Sequence, residues 1–472
     1  MDPLRNFFFP ETIAIIGASR QPFKFGHYYL KTLLEFGFPK EKLYPINPSK
    51  EIILGLQSYA SLNEVPENIG LAYITVPAKQ VVEELQNCIN KSVKCIIIIS
   101  SGFKELDENG AELEETIKKL VANNSIRIVG PNCFGIYCPE GKITLLPGEK
   151  FPKEKGDVAI FAQSGGITVY FIEELISNNI FLSKAISYGN ACDLSFADFL
   201  EYLQEDNNTN IVAAYIEGLT ESDAKKIPNV MKMIKKPTII YRAGLSEDGS
   251  RAARSHTGFL AGKKELWDGF FKQNNIIRAN CFDELIDYTT IFHYIPKLNG
   301  NKIGIIAGGG SIGTELSDLC NSYGLKVPEL SQSVQEKIQT QLKLAGMIPR
   351  NPIDLGNPTY MMTNDFSRVL SFLASDENID LIIIDQVTNR IAKQDFKALI
   401  RICKRFKNEN EKPILITLRQ TVKRLEDIDI EILGREIKLE YEKIGIPVFD
   451  NFTRAVRAIS KLFHYTSRKQ LK

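Results

Sequence analysis

Ser255-His256-Thr257-Gly258 sets a nucleophilic side chain among small neighbours. It lies in a run from Gly244 to Gly262, rich in Gly, Ser, Ala and Arg, with no clear helix or strand period. Only four histidines occur in 472 residues: His27, His256, His293 and His464. Neutral imidazole is a good nucleophile near pH 7, because its ordinary pKa is about 6.5. Small residues let a backbone approach a ligand closely. The run also follows a strand-like segment, Pro237-Thr-Ile-Ile-Tyr-Arg-Ala243, and loops after strands in α/β proteins commonly carry chemistry. Taken alone, the segment fits a ligand loop and a surface loop with an incidental histidine equally well.

Other turns offer anion sites. Gly17-Ala-Ser-Arg-Gln-Pro-Phe-Lys-Phe-Gly26 joins glycines to two cations, Arg20 and Lys24, which suits a nucleotide with several phosphates. Four more loops follow strand-like runs in the same region: Pro45-Ile-Asn-Pro48, Thr75-Val-Pro77, Ser100-Ser-Gly-Phe103 and Gly130-Pro-Asn-Cys133. Gln163-Ser-Gly-Gly166 precedes an expected helix, Ile167 to Ser177. Free N–H groups there favour a phosphate, and Ser164 is either a hydroxyl donor to it or an ordinary N-cap. Gly308-Gly-Gly-Ser-Ile-Gly313 has the G-x-G-x-x-G spacing of a dinucleotide turn, followed by an expected helix from Thr314 to Tyr323. A tight turn that needs glycines for packing is the favoured reading there.

One pattern occurs three times and must position these loops. A short apolar strand enters a glycine turn at Thr12–Ser19, Asp157–Gly166 and Lys302–Gly310. A helical stretch follows each turn, and then more β-branched runs, such as Ile211–Ile216 and Asp380–Asp385. Such runs suit strands buried on both faces of a parallel sheet. The expected class is α/β, with three doubly wound parallel-sheet domains over 1–145, 150–296 and 300–466. Breaks are expected near 147–156 and 296–301, where Pro, Gly and Lys gather.

Composition narrows the function classes. Apolar residues make up 44% and charged residues 24%, with a net charge of +1. That balance gives no argument for nucleic acid or an anionic membrane. No apolar run reaches the roughly 20 residues of a membrane span, and the apolar patch at the N-terminus is too short for a signal peptide. A cytoplasmic protein is expected. Eight cysteines show no zinc-ligand spacing, so they are expected to be small core residues, with no metal.

Taken together, the motifs resemble the α subunit of ADP-forming acyl-CoA synthetases (acetate–CoA ligase, ADP-forming), in the succinyl-CoA synthetase superfamily. Gly17-Ala-Ser19 with Lys24 and Gly26 looks like that family's CoA-binding opening. Tyr44-Pro-Ile-Asn-Pro48, Ser101-Gly-Phe103 and Gly130-Pro-Asn-Cys133 match later signatures, and Gln163-Ser-Gly165 resembles its phosphate-binding helix start. Ser187-Tyr-Gly-Asn190 with Asp193, and Tyr215-Ile-Glu-Gly218, also match. The strongest match is Arg251-Ala-Ala-Arg-Ser-His-Thr-Gly258 with Leu260-Ala-Gly262. Two departures stand beside it: Phe259 lies where small residues are frequent, and Arg254 adds a charge just before Ser255-His-Thr-Gly258.

The resemblance implies a Rossmann-like CoA-binding domain followed by two flavodoxin-like ligase domains, the first carrying a phosphohistidine loop. It implies that acyl-CoA, phosphate and ADP give a carboxylic acid, CoA and ATP, reversibly. Catalysis would fall to His256 and Glu217, the latter otherwise a strand-end carboxylate facing water. Phosphate would meet Ser164, Gly165 and Gly166. CoA would meet Gly17, Ser19, Lys24, Gly26, Asn47, Val76, Pro77, Ser101, Gly102 and Asn132. ADP or ATP with Mg2+ would be held mainly by a separate ATP-grasp β subunit, in an α2β2 assembly, and neither NAD nor flavin is expected. Rival readings are a non-catalytic CoA- or acyl-CoA-binding regulator, an NAD-dependent dehydrogenase, and the CoA-binding half of a protein acyltransferase. The joint presence of His256 and Glu217 argues against the regulator.

Overall fold

The structure is a computed structural model that describes residues 4–146, 148, 150–249, 251, 264–341, 349–355, 364–389, 396–420 and 424–470. Its sheets grow from short isoleucine-rich runs. In the first region these are β1 (Ile13–Ile16), β2 (Leu43–Ile46), β5 (Leu71–Ile74), β6 (Cys95–Ile98) and β7 (Arg127–Val129), with a small hairpin of β3 (Ile52–Ile53) and β4 (Leu56–Gln57). They pair in parallel in the order β2-β1-β5-β6-β7. Every residue of β1, β5 and β6 is buried, as expected for a sheet covered on both faces.

The second sheet contains β8 (Gly135–Tyr137), β9 (Val158–Ala162), β10 (Leu182–Ser187), β11 (Ile211–Ile216), β12 (Thr238–Arg242) and β13 (Ile277–Ala279). Its order is β13-β12-β11-β9-β10-β8. All pairs are parallel except β8 on β10. The chain thus leaves the first sheet at Val129 and joins the edge of the second within a few residues. One apolar cluster runs through both sheets, from Ile13 and Tyr73 to Phe161 and Val212. Phe7 and Phe8, from the opening helix Arg5–Phe8, are fully buried in it. Burying side chains of that size stabilises by about 1.5–3 kcal/mol each.

The third sheet holds β14 (Ile303–Ala307), β15 (Ile353–Asp354), β16 (Leu381–Thr388), β17 (Ile414–Gln420) and β18 (Val448–Phe449), parallel in the order β15-β14-β16-β17-β18. It has its own core, with Ile306, Ile384, Ile416 and Tyr441. The chain divides into two compact units: residues 1–176 with 180–285, and residues 286–472 with 177–179. The first two sheets lie in one unit, and helix Phe282–Tyr294 spans the division.

Two helices start earlier than their sequence suggests, at Gly165 rather than Ile167 and at Gly310 rather than Thr314. Glycine is a poor helix former; tertiary packing at the strand end overrides that cost. All eight cysteines are free thiols, and all but Cys281 are buried. Among the described residues no helix is long and apolar enough to cross a membrane.

Candidate functional site

The carboxyl end of the first sheet gathers the expected CoA loops. β1 runs into Gly17, whose φ is +89°, and a Cβ there would meet Thr75 Oγ1 at 2.8 Å. Only glycine fits this position. Gly26 opens onto the same turn; a Cβ on it would lie 2.1 Å from the Gly17 carbonyl oxygen. The Asn47 amide donates to the Ala18 carbonyl at 2.7 Å and so holds the turn from the end of β2. The Ser19 hydroxyl accepts from the Gln21 N–H at 3.1 Å, and its carbonyl oxygen lies 2.9 Å from His27 Nδ1. The two cations of this turn differ. Arg20 pairs with Glu51 at 2.5 Å, whereas the exposed Lys24 makes no ion pair among the described residues.

Val76 is half-buried, and its carbonyl accepts from the Ser100 hydroxyl. Asn132 has φ +58°, and its N–H donates to the Ser100 carbonyl at 2.9 Å. The ends of β5, β6 and β7 are thereby joined. Gly102 has φ +104° and donates to Glu105 Oε1 at 2.6 Å. Pro77 and Ser101 are exposed at the rim.

Asn190, after β10, ties this end to the second sheet. Its amide donates to Glu105 at 2.5 Å and to the buried Glu114 at 2.9 Å. Its carbonyl accepts from Lys104 at 2.7 Å, and its side-chain oxygen lies 3.4 Å from the Asn132 amide. Asp193 accepts from the Ile128 N–H at 2.7 Å and forms an ion pair with Arg127 at 3.0 Å. Burial pushes the Glu105 carboxyl up, but the Asn190 amide and the Gly102 and Phe103 N–H groups outweigh it and leave it below the usual carboxylate range.

At the end of β9, Ser164 caps helix Gly165–Ser177: the Ile167 N–H donates to its hydroxyl at 3.4 Å. A Cβ on Gly165 would lie 2.7 Å from the Phe134 ring, two residues beyond Asn132, so packing explains that glycine. A Cβ on Gly166 would meet nothing within 4 Å. Gly166 is exposed in the first turn of the helix, where free N–H groups favour an anion.

Glu217 follows β11 and is 8% exposed, so the water-facing reading of this carboxylate does not hold. Gln163 staples it in place. The Gln163 side-chain oxygen accepts from the N–H groups of Glu217 and, at 3.0 Å, Gly218, while its amide donates to the Gly218 carbonyl at 3.2 Å. This staple is absent from the sequence expectations; a glutamine at the end of an apolar strand was the available signal. Tyr215 and Arg242 flank the carboxylate. Burial, and then Glu217, push the Tyr215 hydroxyl well above its ordinary value. Burial pushes the Arg242 guanidinium down to about 10, with Glu217 acting in the opposite direction. His256, with the rest of Ser255–Gly258, lies outside the described residues.

In the third sheet, Gly309 is extended and a Cβ there would meet nothing within 4 Å, while one on Gly313 would lie 2.8 Å from Pro352. Packing thus accounts for Gly313 and not for Gly309.

Residues 11–139 match the CoA binding domain family, and residues 155–292 match the succinyl-CoA ligase like flavodoxin domain. The α subunit of acetate–CoA ligase [ADP-forming] II from Pyrococcus furiosus is 35% identical, over 95% of this chain and 94% of its own. The acetate–CoA ligase [ADP-forming] of Methanocaldococcus jannaschii is 38% identical over 75% of this chain, which spans about half (49%) of that relative. Among solved structures, the Ca. Korarchaeum cryptofilum dinucleotide forming acetyl-coenzyme A synthetase 1, in complex with phosphate and ADP, superposes with a TM-score of 0.85 at 27% identity, covering 100% of this chain and 98% of that one. The α/β fold, the order of the strand-end loops and these full-length likenesses agree: the chain belongs to the family of ADP-forming acetate–CoA ligase α subunits.

Proposed function

We propose that this chain is the α subunit of an ADP-forming acyl-CoA synthetase, with His256 as the phosphorylated residue and Glu217 as the carboxylate behind it. Acyl-CoA, phosphate and ADP give a carboxylic acid, CoA and ATP. Acetate is the default acid from the relatives' names. The first two sheets serve as the CoA and ligase domains, within a three-part division at 1–145, 150–296 and 300–466. An ATP-grasp β subunit supplies most contacts to the nucleotide and its Mg2+, in an α2β2 assembly.

One observation carries this reading. Glu217 is buried, and Gln163 holds its backbone N–H and that of Gly218, beside a serine-capped helix start with an open glycine. The residues fit the groups they would hold. The turn at Gly17 and Gly26 admits no side chain, Lys24 offers a cation for phosphates, and Gly166 stands exposed in the first turn of its helix.

Each step balances. A phosphate oxygen attacks the thioester carbonyl, CoA leaves as its thiol after taking a proton, and an acyl phosphate remains. An imidazole nitrogen of His256 attacks phosphorus, and the carboxylate leaves. Glu217 holds the opposite ring N–H, fixing the tautomer and stabilising the charged product. A terminal ADP oxygen then takes the phosphoryl group and the imidazole is restored. Positioning and charge stabilisation supply most of the rate.

The test is to incubate the chain with acyl-CoA and labelled phosphate, or with a β subunit, labelled ATP and Mg2+. Acid-labile, base-stable label on wild type and none on His256→Ala supports the reading. Label retained on the variant overturns it.

A further inference from the structure

The turn from Ser187 to Cys192 leaves β10 in the second sheet and lies on the loop Gly130–Cys133 of the first. The Asn190 N–H donates to the Pro131 carbonyl at 2.9 Å, and the Cys192 N–H donates to the Gly130 carbonyl at 3.1 Å. The Phe134 N–H donates to the Ser187 hydroxyl at 3.0 Å. Gly189 has φ +55°, and a Cβ on it would lie 2.2 Å from the Pro131 carbonyl oxygen. The two backbones therefore touch at a point where only glycine fits.

Asn190 is 3% exposed. Its amide nitrogen donates to two carboxylates, Glu105 and Glu114, and its oxygen faces the Asn132 amide. The other oxygen of Glu105 accepts from the N–H groups of Gly102 and Phe103, at 2.6 and 3.1 Å. That carboxylate fills the place an outside anion would take on these two groups, so the Ser101–Phe103 turn has its shape before any ligand arrives. Lys104 donates to the Asn190 carbonyl at 2.7 Å and pairs with Glu114 at 3.1 Å, which offsets the charge of the two acids. A buried amide engaged on every side fixes one arrangement, since moving it leaves buried polar groups unpaired.

We propose that Asn190 and Glu105 are a positioning pair for CoA: through Asn190, the second sheet presets the Gly102 and Asn132 loops in the shape that receives the coenzyme. The proposal rests on the CoA site given above. Both residues act through the loops rather than on the reacting atoms. A preset loop removes ordering that binding must otherwise impose. Breaking the link should therefore weaken CoA binding and spare the chemical step.

The test uses the full chain, reconstituted with its β subunit for turnover. In Asn190→Ala, KM for CoA in the direction of acyl-CoA formation should rise at least about tenfold, while kcat at saturating CoA stays within about threefold. A merely structural loss would instead lower kcat through the fraction folded and leave KM as it was. Without CoA, amide hydrogen exchange at Gly102 and Phe103 should quicken at least about tenfold. Glu105→Ala, at a half-buried position, should reproduce both effects even if Asn190→Ala fails to fold. The double variant should be no worse than about twofold beyond either single one, since both remove the same link. An unchanged KM, a fall in kcat alone, or losses that multiply in the double variant would overturn the pair. Should wild type bind no CoA, the functional reading fails, while hydrogen exchange still decides whether Asn190 sets the turn.

Discussion

Two glycine turns in this chain look alike in sequence and differ in their surroundings. Gln163-Ser-Gly-Gly166 and Ala307-Gly-Gly-Gly310 each leave a buried strand and open a 13-residue helix. At the first, a serine caps the helix and Gln163 holds the backbone N–H groups of a buried glutamate, Glu217, and of Gly218. At the second, no side chain caps the helix, and the Asp354 carboxylate lies 3.2 Å from where a Gly310 Cβ would be. A carboxylate near a helix start satisfies its positive end. Acids in the two units also titrate differently. Glu105 in the first unit sits below the usual range because N–H donors outweigh burial. In the second unit burial keeps Asp385 above it despite Arg419, and pushes Glu442 up to about 7 against the pull of Lys438. Glycine spacing alone therefore does not define a site; the donors and charges that neighbouring strands bring to it do.

The largest effect should come at the first turn. Glu217→Gln should cost at least about 10² in turnover with CoA binding intact, since the amide cannot stabilise an imidazolium. Steady-state kinetics and calorimetry would show it, and a small loss would place this turn on a par with the second. Asn190→Asp should come next. It sets a third carboxylate against Glu105 and Glu114, and thermal unfolding should show a loss of about 3–5 kcal/mol.

Gly165→Ala should cost about 1–3 kcal/mol by pressing on Phe134, whereas Gly309→Ala should stay within about 0.5 kcal/mol. Equal costs would erase the packing difference between the turns. The smallest effect is pH-dependent. With its folded pKa raised to about 7 from 4.5, Glu442 contributes stability that is fully present below 4.5 and lost as pH rises through 7. Glu442→Gln should therefore stabilise by about 1 kcal/mol at pH 8, and the gain should shrink as pH falls to 5. A gain independent of pH would mean that the carboxyl is not the cause.

Much of this was legible in the sequence. Isoleucine-rich runs such as Cys95–Ile98 became strands, and the glycine turns followed them as expected. Asn47 and Asn132 stand at strand ends where their loops suggested. What could not be read was pairing over distance. Gln163 reaches Gly218 only because the parallel strands β9 and β11 bring their ends side by side, and Arg242 meets Trp267 only because the helix Lys264–Gln273 packs on the end of β12. Nor does the sequence show that Arg20 meets Glu51 across 31 residues. β8 was invisible too, because Gly-Ile-Tyr carries no period.

That short strand bears on how the protein could be divided or inherited. Gly135–Tyr137 is contributed by the first segment of the chain but hydrogen-bonds to β10 in the second. A recombination event that moved residues 1–145 alone to another protein would carry a strand with an unpaired edge, and would leave β10 exposing its own. Such edges invite pairing with other chains. The CoA and ligase modules are thus sutured at the level of the backbone, and shuffling or truncation should succeed only when both travel together.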